Sequence, residues 1–270
     1  MQRLLTSGGR MGWGDEIMAA GRAREARKVN PFPVAILNRH GKPRWHEAWR
    51  GSPHILHPTQ VEQGPHQCII DGPRARPYVD TTDPERWLFR PGKQTRGDLY
   101  LDADELAMAP HGAYVVLQPH SKPSVPGKAW GWRNWQALAD VLPWRLVQPG
   151  LVDWPALEGV QRVITSTFRQ AAGVIAGARM VITPEGAVHH AAAALGVPAV
   201  VLYGGFITPE ITGYPEQVAI VDGGPGTPCG VVRQACPHCV AAWARIYPEQ
   251  VAEQAMQLME ASDARGTAAA

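Results

Sequence analysis

The stretch from Met180 to Gly205 constrains the fold more than any other part of the chain. Its sequence, MVITPEGAVHHAAAALGVPAVVLYGG, reads in order as a strand, a tight turn, a short helix and a second strand. An apolar run of β type opens the stretch, the alanines at 191–194 favour a helix, and Gly196 suits the end of that helix. Units of this kind build parallel sheets, so the chain is predicted to be an α/β protein.

The turn inside this unit is the predicted ligand site. Ligands of open parallel sheets bind outside the carboxyl ends of the strands, and the N-terminus of a helix attracts anions. Glu185, Gly186, His189 and His190 occupy that position in the sequence. The sequence therefore predicts a ligand that carries phosphate.

The same turn resembles a family signature. The run from Pro184 to His189 (PEGAVH), followed by an alanine-rich helix, Gly-Val-Pro and Val-Val-Leu-Tyr-Gly, resembles the signature of glycosyltransferase family 9, the heptosyltransferase-like enzymes of lipopolysaccharide assembly. The common form is Asp-Ser-Gly-x-x-His, so Pro-Glu stands here in place of Asp-Ser. The resemblance implies a GT-B fold, with two Rossmann-like domains facing a central cleft. It also implies donor contacts from Glu185, Gly186, Ala187 and His189.

A glycine-rich segment near the start of the chain resembles a second element of that family. Gly12, Trp13, Gly14 and Asp15 match its Gly-x-Gly-Asp element. The resemblance implies that Asp15 is the catalytic base and that Gly12 and Trp13 lie at the acceptor. Read from the residues alone, Asp15 equally suits a helix cap, and one carboxylate can fill both roles.

A third match lies after the predicted strand 114–119. Lys128 and Trp130 fit the Lys-x-Trp element of the family, whose lysine contacts the donor diphosphate. The resemblance also brings Thr167 and Arg169 towards the nucleotide. Thr165 or Ser166 is the predicted cap of a helix over 168–176.

The repeated strand and helix order predicts two domains and a tail. We expect an acceptor-binding Rossmann-like domain at 1–111, beginning with a strand at 3–9, and a nucleotide-sugar-binding Rossmann-like domain at 112–260. Residues 261–270 are small and polar and are predicted to form a flexible tail. A last helix at 248–259 is expected to pack back across the first domain.

The distribution of charge bears on the acceptor. Residues 1–76 contain 12 Lys and Arg against 6 Asp and Glu, whereas residues 77–270 contain 14 against 18. The basic end favours an anionic or saccharide acceptor, and Arg74 and Arg76 in a proline-rich loop are candidate contacts. A solvated face without any partner explains the same bias.

The cysteines and the apolar runs indicate whether the chain has disulfides, a metal site or a membrane segment. Four cysteines are too few and too clustered for a disulfide framework. Cys229, Cys236, His238 and Cys239 could hold zinc, but His238 lies between two other ligands in sequence, so no bound metal is expected. No apolar run reaches the ~18 residues that span a membrane, and a secretory signal is lacking. The sequence therefore predicts a cytoplasmic protein, with peripheral contact at a membrane left open.

The resemblance implies an inverting, metal-independent transfer of a sugar from a nucleotide-diphosphate donor to a hydroxyl acceptor, most readily a saccharide of the lipopolysaccharide type. No cofactor is implied beyond the nucleotide sugar as co-substrate. Two alternatives stay open at this point. One is sugar transfer to modified bases in DNA or to another polyanion, and the other is a sugar-nucleotide-binding protein without catalysis, which the departure at Glu185 permits.

Overall fold

A computed structural model describes residues 12–72, 76–90, 92, 94–122, 124–234 and 236–268. The predicted strand at 3–9 and the candidate Arg74 lie outside the described residues.

The carboxy-terminal part of the chain forms a six-stranded parallel sheet. The strands at its centre are apolar and buried along their whole length, as strands covered on both faces are. The elements of this part are β5 (Val115–Leu117), α3 (Trp132–Val141), β6 (Leu146–Gly150), β7 (Gln161–Ile164), α4 (Phe168–Ala176), β8 (Met180–Pro184), α5 (Ala187–Leu195), β9 (Ala199–Tyr203), α6 (Pro209–Thr212), β10 (Val218–Val221), α7 (Pro237–Trp243) and α8 (Pro248–Ala268).

The order of the strands fixes where a ligand binds. Across the sheet the strands lie in the order β7-β6-β5-β8-β9-β10, which is the doubly wound arrangement. Successive strands are added on one side of β5 up to β7 and on its other side from β8 onwards, so the strand order reverses between β5 and β8. The loops after these two strands open apart at their carboxyl ends and leave a crevice. The predicted α/β class with a parallel Rossmann-type sheet is confirmed for this part.

The amino-terminal part is smaller and less regular. Its strands β1 and β2 pair in parallel, and β3 and β4 form a short antiparallel pair. A helix follows the glycine-rich segment, and the two strands of the parallel pair come after that helix. The elements are α1 (Trp13–Val29), β1 (Val34–Leu37), β2 (Gln67–Ile70), β3 (Val79–Asp80), β4 (Leu88–Phe89) and α2 (Ala103–Leu106).

The start of α1 packs directly against α5 of the large sheet. A Cβ placed on Gly14 would lie 2.4 Å from Cδ2 of His190, closer than real contacts allow. Gly14 is therefore required for the approach of two helices rather than for the approach of a ligand. This contact brings the Gly-Trp-Gly-Asp segment to the helix that follows β8.

A buried ion pair joins the two parts on another side. Both carboxylate oxygens of Glu105 accept hydrogen bonds from Arg169, at 2.5 and 2.7 Å, and Arg169 also donates to the carbonyl of Glu47. Gly173 packs so tightly on this region that a Cβ would lie 1.7 Å from the Glu105 carbonyl oxygen. The guanidinium of Arg169, predicted to approach the nucleotide, instead fastens α4 to α2.

Helix α8 departs from the prediction in length and in position. It continues to Ala268, nine residues beyond the predicted end, and so enters the range 261–270 that was predicted as a tail. It packs against α3, β9 and β10 of the large sheet, not across the first part. Neither α8 nor any other described helix combines the length and the apolar character needed to cross a bilayer.

Candidate active site at the switch point of the sheet

A buried ion pair lies at the crevice between β5 and β8. Lys128 ends a single 3₁₀ turn (Pro126–Lys128) in the loop after β5, and Glu185 directly follows β8. The Lys128 ammonium donates to Oε2 of Glu185 and also lies 5.1 Å from the ring centroid of Phe206. Burial would raise the pKa of Glu185, but Lys128 and then His189 outweigh it, so the pKa is lowered and the carboxylate is charged.

The helix that follows this carboxylate begins with an open N-terminus. Gly186 is the N-cap of α5, and a Cβ built on it would meet no atom of the described residues within 4 Å. Gly186 and Ala187 are half-buried, so their backbone is within reach of a ligand. Unpaired N–H groups at the start of a helix bind anions, so this turn suits a phosphate group beside Lys128.

The ring of His189 holds this turn from inside. Its Nδ1 accepts a hydrogen bond from the Gly186 N–H at 2.9 Å, and its Nε2 donates to the Thr212 carbonyl at 3.0 Å. Burial lowers its pKa, which keeps the ring neutral in this arrangement. His189 is completely buried and both of its nitrogens are in use. The predicted direct contact from His189 to the donor is therefore replaced by a positioning role.

Asp15 forms the second half of the candidate site. Its carboxylate accepts hydrogen bonds from the Tyr78 hydroxyl, from Arg76 at 3.2 Å and from the Gly12 N–H at 3.2 Å. The last of these is a cap of the α1 N-terminus made from the third helical position. The two roles considered for Asp15 are thus compatible, because capping uses one oxygen of a carboxylate that also faces two side chains.

Asp15 and the Lys128–Glu185 pair belong to one electrostatic cluster. Partial burial lowers the pKa of Lys122, and the positive charges of Arg76 and Lys128 lower it further. The negative charge of the Asp15 carboxylate raises this pKa and so acts against them. Tyr78, hydrogen-bonded to Asp15, has its pKa raised first by burial and also by the charges of Asp15 and Glu185. The start of α1, which packs against α5, therefore lies near the loops at the switch point.

Glu16, next to Asp15, is a buried acid with an unusual titration. Its two carboxylate oxygens accept from Arg44 at 2.9 Å each, and its carbonyl accepts from Nε1 of Trp49. Burial raises its pKa to about 7, although Arg44 acts against the shift. Glu16 therefore carries a proton in the folded chain at pH values where an ordinary glutamic acid is ionised.

This titration predicts a pH-dependent stability. Between the usual value of 4.5 and about 7 the folded chain holds a proton that the unfolded chain has released, so rising pH favours unfolding. Relative to the Glu16→Gln variant, the free energy of unfolding of the wild type should fall by roughly 3 kcal/mol at most between pH 5 and pH 8. Urea unfolding of both proteins across this range is the measurement. A constant or rising difference would show that Arg44 keeps Glu16 ionised throughout.

The other predicted site residues are placed in supporting positions. Trp130 is buried, packs edge-on against Trp135 and donates Nε1–H to the Ile246 carbonyl, so its indole belongs to the core and not to the crevice. Trp13 stacks on Phe168 with ring centroids 4.7 Å apart. Thr167, and not Thr165 or Ser166, caps α4 by accepting from the Gln170 N–H.

The arginines of the basic amino-terminal segment are largely paired within the protein. Five of the seven arginines that the structure describes in this segment meet a carboxylate, which leaves less free positive surface than the count of charges indicates. The pairs are Arg22–Asp71, Arg24–Asp98, Arg44–Glu16, Arg50–Glu105 and Arg76–Asp15.

Within the part of the chain that the structure describes, two groups of side chains are close enough to hold a metal. Glu185, His189 and His190 form one, but Lys128 already neutralises the carboxylate and both nitrogens of His189 are hydrogen-bonded. The other consists of Cys229, Cys236, His238 and Cys239.

A comparison with known families supports the resemblance. Residues 165–233 match the model of glycosyltransferase family 9 (heptosyltransferase). This range contains α4, β8, α5 and β9, and thus the open turn at Gly186. The match confirms the predicted resemblance to family 9 and the enzyme class that follows from it, a glycosyltransferase. No curated protein matches the chain.

Solved structures of glycosyltransferases share the fold. The glycosyl transferase family 9 protein from Veillonella parvula DSM 2008 is 15% identical, with a TM-score of 0.63 over 93% of this chain and 95% of that chain. The iron-containing dodecameric glycosyltransferase TibC from enterotoxigenic E. coli H10407 is 15% identical, with a TM-score of 0.59 over 93% and 74%. The alignment with E. coli ADP-heptose lps heptosyltransferase II is 18% identical, has a TM-score of 0.49, and covers 64% of this chain but only 56% of that enzyme. The first two likenesses show the GT-B type of fold.

Proposed function

We propose that this glycosyltransferase moves a sugar from a nucleotide-diphosphate donor to an acceptor hydroxyl with inversion at the anomeric carbon. The observation that carries the proposal is geometric: the residue next to Asp15 packs against α5, and the Lys128–Glu185 pair lies at the start of that helix. Such a transfer requires a base for the acceptor hydroxyl and positive charge for the departing diphosphate.

In the proposed reaction Asp15 removes the proton of the acceptor hydroxyl while the oxygen of that hydroxyl attacks the anomeric carbon of the donor sugar. The bond from that carbon to the diphosphate oxygen breaks on the opposite face, which inverts the configuration. Lys128, one of whose three N–H groups is used by Glu185, has donors left for the diphosphate. Glu185 then positions Lys128, and the N–H group of Ala187 at the start of α5 binds another phosphate oxygen. The charge of the leaving group is offset by these groups, and we propose that the transfer needs no metal.

The donor and the acceptor are proposed by class. TibC has been solved in complex with ADP-D-beta-D-heptose and E. coli WaaC with ADP, so an ADP-linked sugar is the first donor to test. Gly12 and Trp13 lie beside Asp15 and are proposed as acceptor contacts, together with Arg76 and with Arg74, which is not among the described residues. A saccharide of the lipopolysaccharide type is the proposed acceptor. Transfer to DNA or another polyanion has less support, because five of the seven described arginines among residues 1–76 are paired with carboxylates.

The test has a binding step and a transfer step. ADP, ADP-heptose, UDP and UDP-glucose are each added to the protein, and thermal unfolding is measured. A ligand at 100 times its dissociation constant should add about 2.7 kcal/mol of stability. ADP-heptose is then incubated with heptose-free lipopolysaccharide core or with duplex DNA, with and without chelator, and the mass of the acceptor is measured.

We expect stabilisation by the ADP compounds and a gain of one sugar by the saccharide, unchanged by the chelator. Stabilisation without transfer to either acceptor would favour a sugar-nucleotide-binding protein. Transfer to DNA alone would restore the polyanion alternative, and transfer abolished by chelator would contradict the metal-independent reaction.

A further inference from the structure

Three thiols and one imidazole that have no role in the proposed reaction lie close together. Cys229, Cys236, His238 and Cys239 each bring one ligand atom into a group whose members all lie within 4.8 Å of one another. Sγ of Cys229 is 3.2 Å from Sγ of Cys239 and 3.6 Å from Sγ of Cys236. Cys229 and Cys239 are buried, so the group is shielded from solvent.

The start of α7 explains why residues adjacent in sequence can meet at one point. Cys236 is the N-cap of this helix, Pro237 is its first residue, and the N–H of Cys239 donates to Sγ of Cys236 at 3.3 Å. An N–H group directed at sulfur favours the thiolate, the form that binds metals. The position of His238 between two cysteines, which argued against a fourth ligand in the sequence, is no obstacle once the chain turns into the helix.

The ring of His238 has one nitrogen left for a ligand. Nε2 lies 3.1 Å from the Thr227 hydroxyl, whereas Nδ1 is buried and has no hydrogen-bond partner among the described residues. Histidines that bind metals commonly use their second nitrogen to hydrogen-bond an outer group, as Thr227 provides here. A buried polar atom without a partner is costly, and a metal at Nδ1 would satisfy it.

We propose that Cys229, Cys236, Cys239 and Nδ1 of His238 bind one structural Zn²⁺ ion. Tetrahedral zinc with Zn–S bonds of ~2.3 Å separates its sulfur ligands by roughly 3.8 Å, close to the distances found here. A disulfide would use only two of the three thiols and would leave the third thiol and Nδ1 of His238 unsatisfied. Four protein ligands fill a zinc site, so the ion has no open position for substrate.

The position of the group indicates what the ion stabilises. A Cβ on Gly127 would lie 3.0 Å from Sγ of Cys239, and Trp243 of the same helix donates to the Gly127 carbonyl at 2.7 Å. The N–H of Cys229 donates to the Gly205 carbonyl at 2.9 Å. The proposed ion therefore fastens the segment around α7 to the loops after β5 and β9, next to Lys128, without entering the reaction.

The test uses the full chain, expressed without a polyhistidine tag and purified without added metal. We expect about one equivalent of zinc per chain by elemental analysis, retained through dialysis. Cys239→Ser should lose most of it, whereas Cys68→Ser, which changes an exposed cysteine outside the group, should retain it. After removal of zinc, Co²⁺ alone should produce the visible bands of a tetrahedral thiolate site, and the melting temperature should fall on chelation and recover with Zn²⁺.

Three results would overturn the proposal. The first is a metal content far below one equivalent together with four titratable thiols in the folded protein. The second is a disulfide within the group in freshly purified protein, and the third is stoichiometric iron with no zinc. Should Cys239→Ser fail to fold, His238→Ala and the chelation experiment on the wild type answer the same question. None of these measurements depends on sugar transfer.

Discussion

Turnover of the Asp15→Asn variant is expected to fall by roughly 10²–10⁴-fold, the usual contribution of a positioned general base. The single amide oxygen of asparagine still accepts from the Gly12 N–H, so the cap of α1 is kept. Its NH2 group takes the place of the oxygen that faces the Tyr78 hydroxyl, and that hydroxyl can turn to accept a hydrogen bond from it. The amide cannot take up the proton of the acceptor. Sugar transfer at saturating donor is the measurement, and donor affinity should be unchanged because Lys128 and the Gly186 turn are untouched.

Two matched variants separate catalysis from folding. Asp15→Ala should show the same loss of turnover and an additional loss of at least ~1 kcal/mol in the free energy of unfolding, because the cap is removed and Arg76 and Tyr78 lose their partner as well. Tyr78→Phe removes one hydrogen bond to Asp15 but leaves the carboxylate, so its turnover should fall much less. Near wild-type transfer by Asp15→Asn would make Asp15 a cap alone and would move the search for a base to Glu16, His40 or His46.

The part of the site that lies on regular elements could be predicted from the sequence. Apolar periodicity, alanine content and Gly196 locate β8, α5 and β9, and Gly196 has the left-handed conformation that ends α5. The bounds predicted for α4, residues 168–176, are those found. These features depend on neighbours within a few residues, and local sequence is sufficient for them.

The side chains around Asp15 could not be predicted in the same way. Tyr78 and Arg76 reach Asp15 across more than sixty positions of sequence, from a proline-rich loop without periodicity. Lys122 belongs to none of the family motifs that identify the other site residues, so the sequence did not indicate its place near Asp15. The count of basic residues likewise gave no information on pairing, because Arg22 and Arg44 meet their carboxylates only in the folded chain.

The family signature that contains His189 predicts where this residue lies but not the direction of its side chain. The sequence puts His189 at the N-terminus of α5, where an imidazole could point to a ligand or back into the turn. Hydrogen bonds from the Gly186 N–H and to the Thr212 carbonyl settle its direction, and Thr212 belongs to another helix. A residue can thus be needed at a site because it shapes the backbone that meets the ligand.

The ion pair at the switch point predicts the largest loss of stability from a single substitution. Lys128→Met removes the partner of Glu185, whose side chain is 6% exposed, and so leaves an uncompensated charge in the interior. Breaking a buried pair in this way costs about 3–5 kcal/mol of unfolding free energy. Urea unfolding should detect this loss at pH 7, and the loss should shrink at lower pH as Glu185 takes up a proton.

The double variant Lys128→Met with Glu185→Gln then separates folding from donor binding. Removing the charge of Glu185 together with that of Lys128 should return most of the lost stability, since no unpaired ion remains. Affinity for ADP, measured by calorimetry, should stay roughly 10–100-fold below that of the wild type in the double variant, because a hydrogen bond to a charged group is worth about 1.5–3 kcal/mol.

Lys28→Met is the matched control, because Lys28 is 65% exposed and pairs with Glu25 on the surface, where such pairs contribute ~0–1 kcal/mol. It should change neither ADP affinity nor, by more than that amount, stability. Recovery of ADP binding along with stability in the double variant would contradict a contact between Lys128 and the diphosphate. In that case the buried pair would serve only to hold the loops after β5 and β8 together, and the N-terminus of α5 would have to bind the phosphates without it.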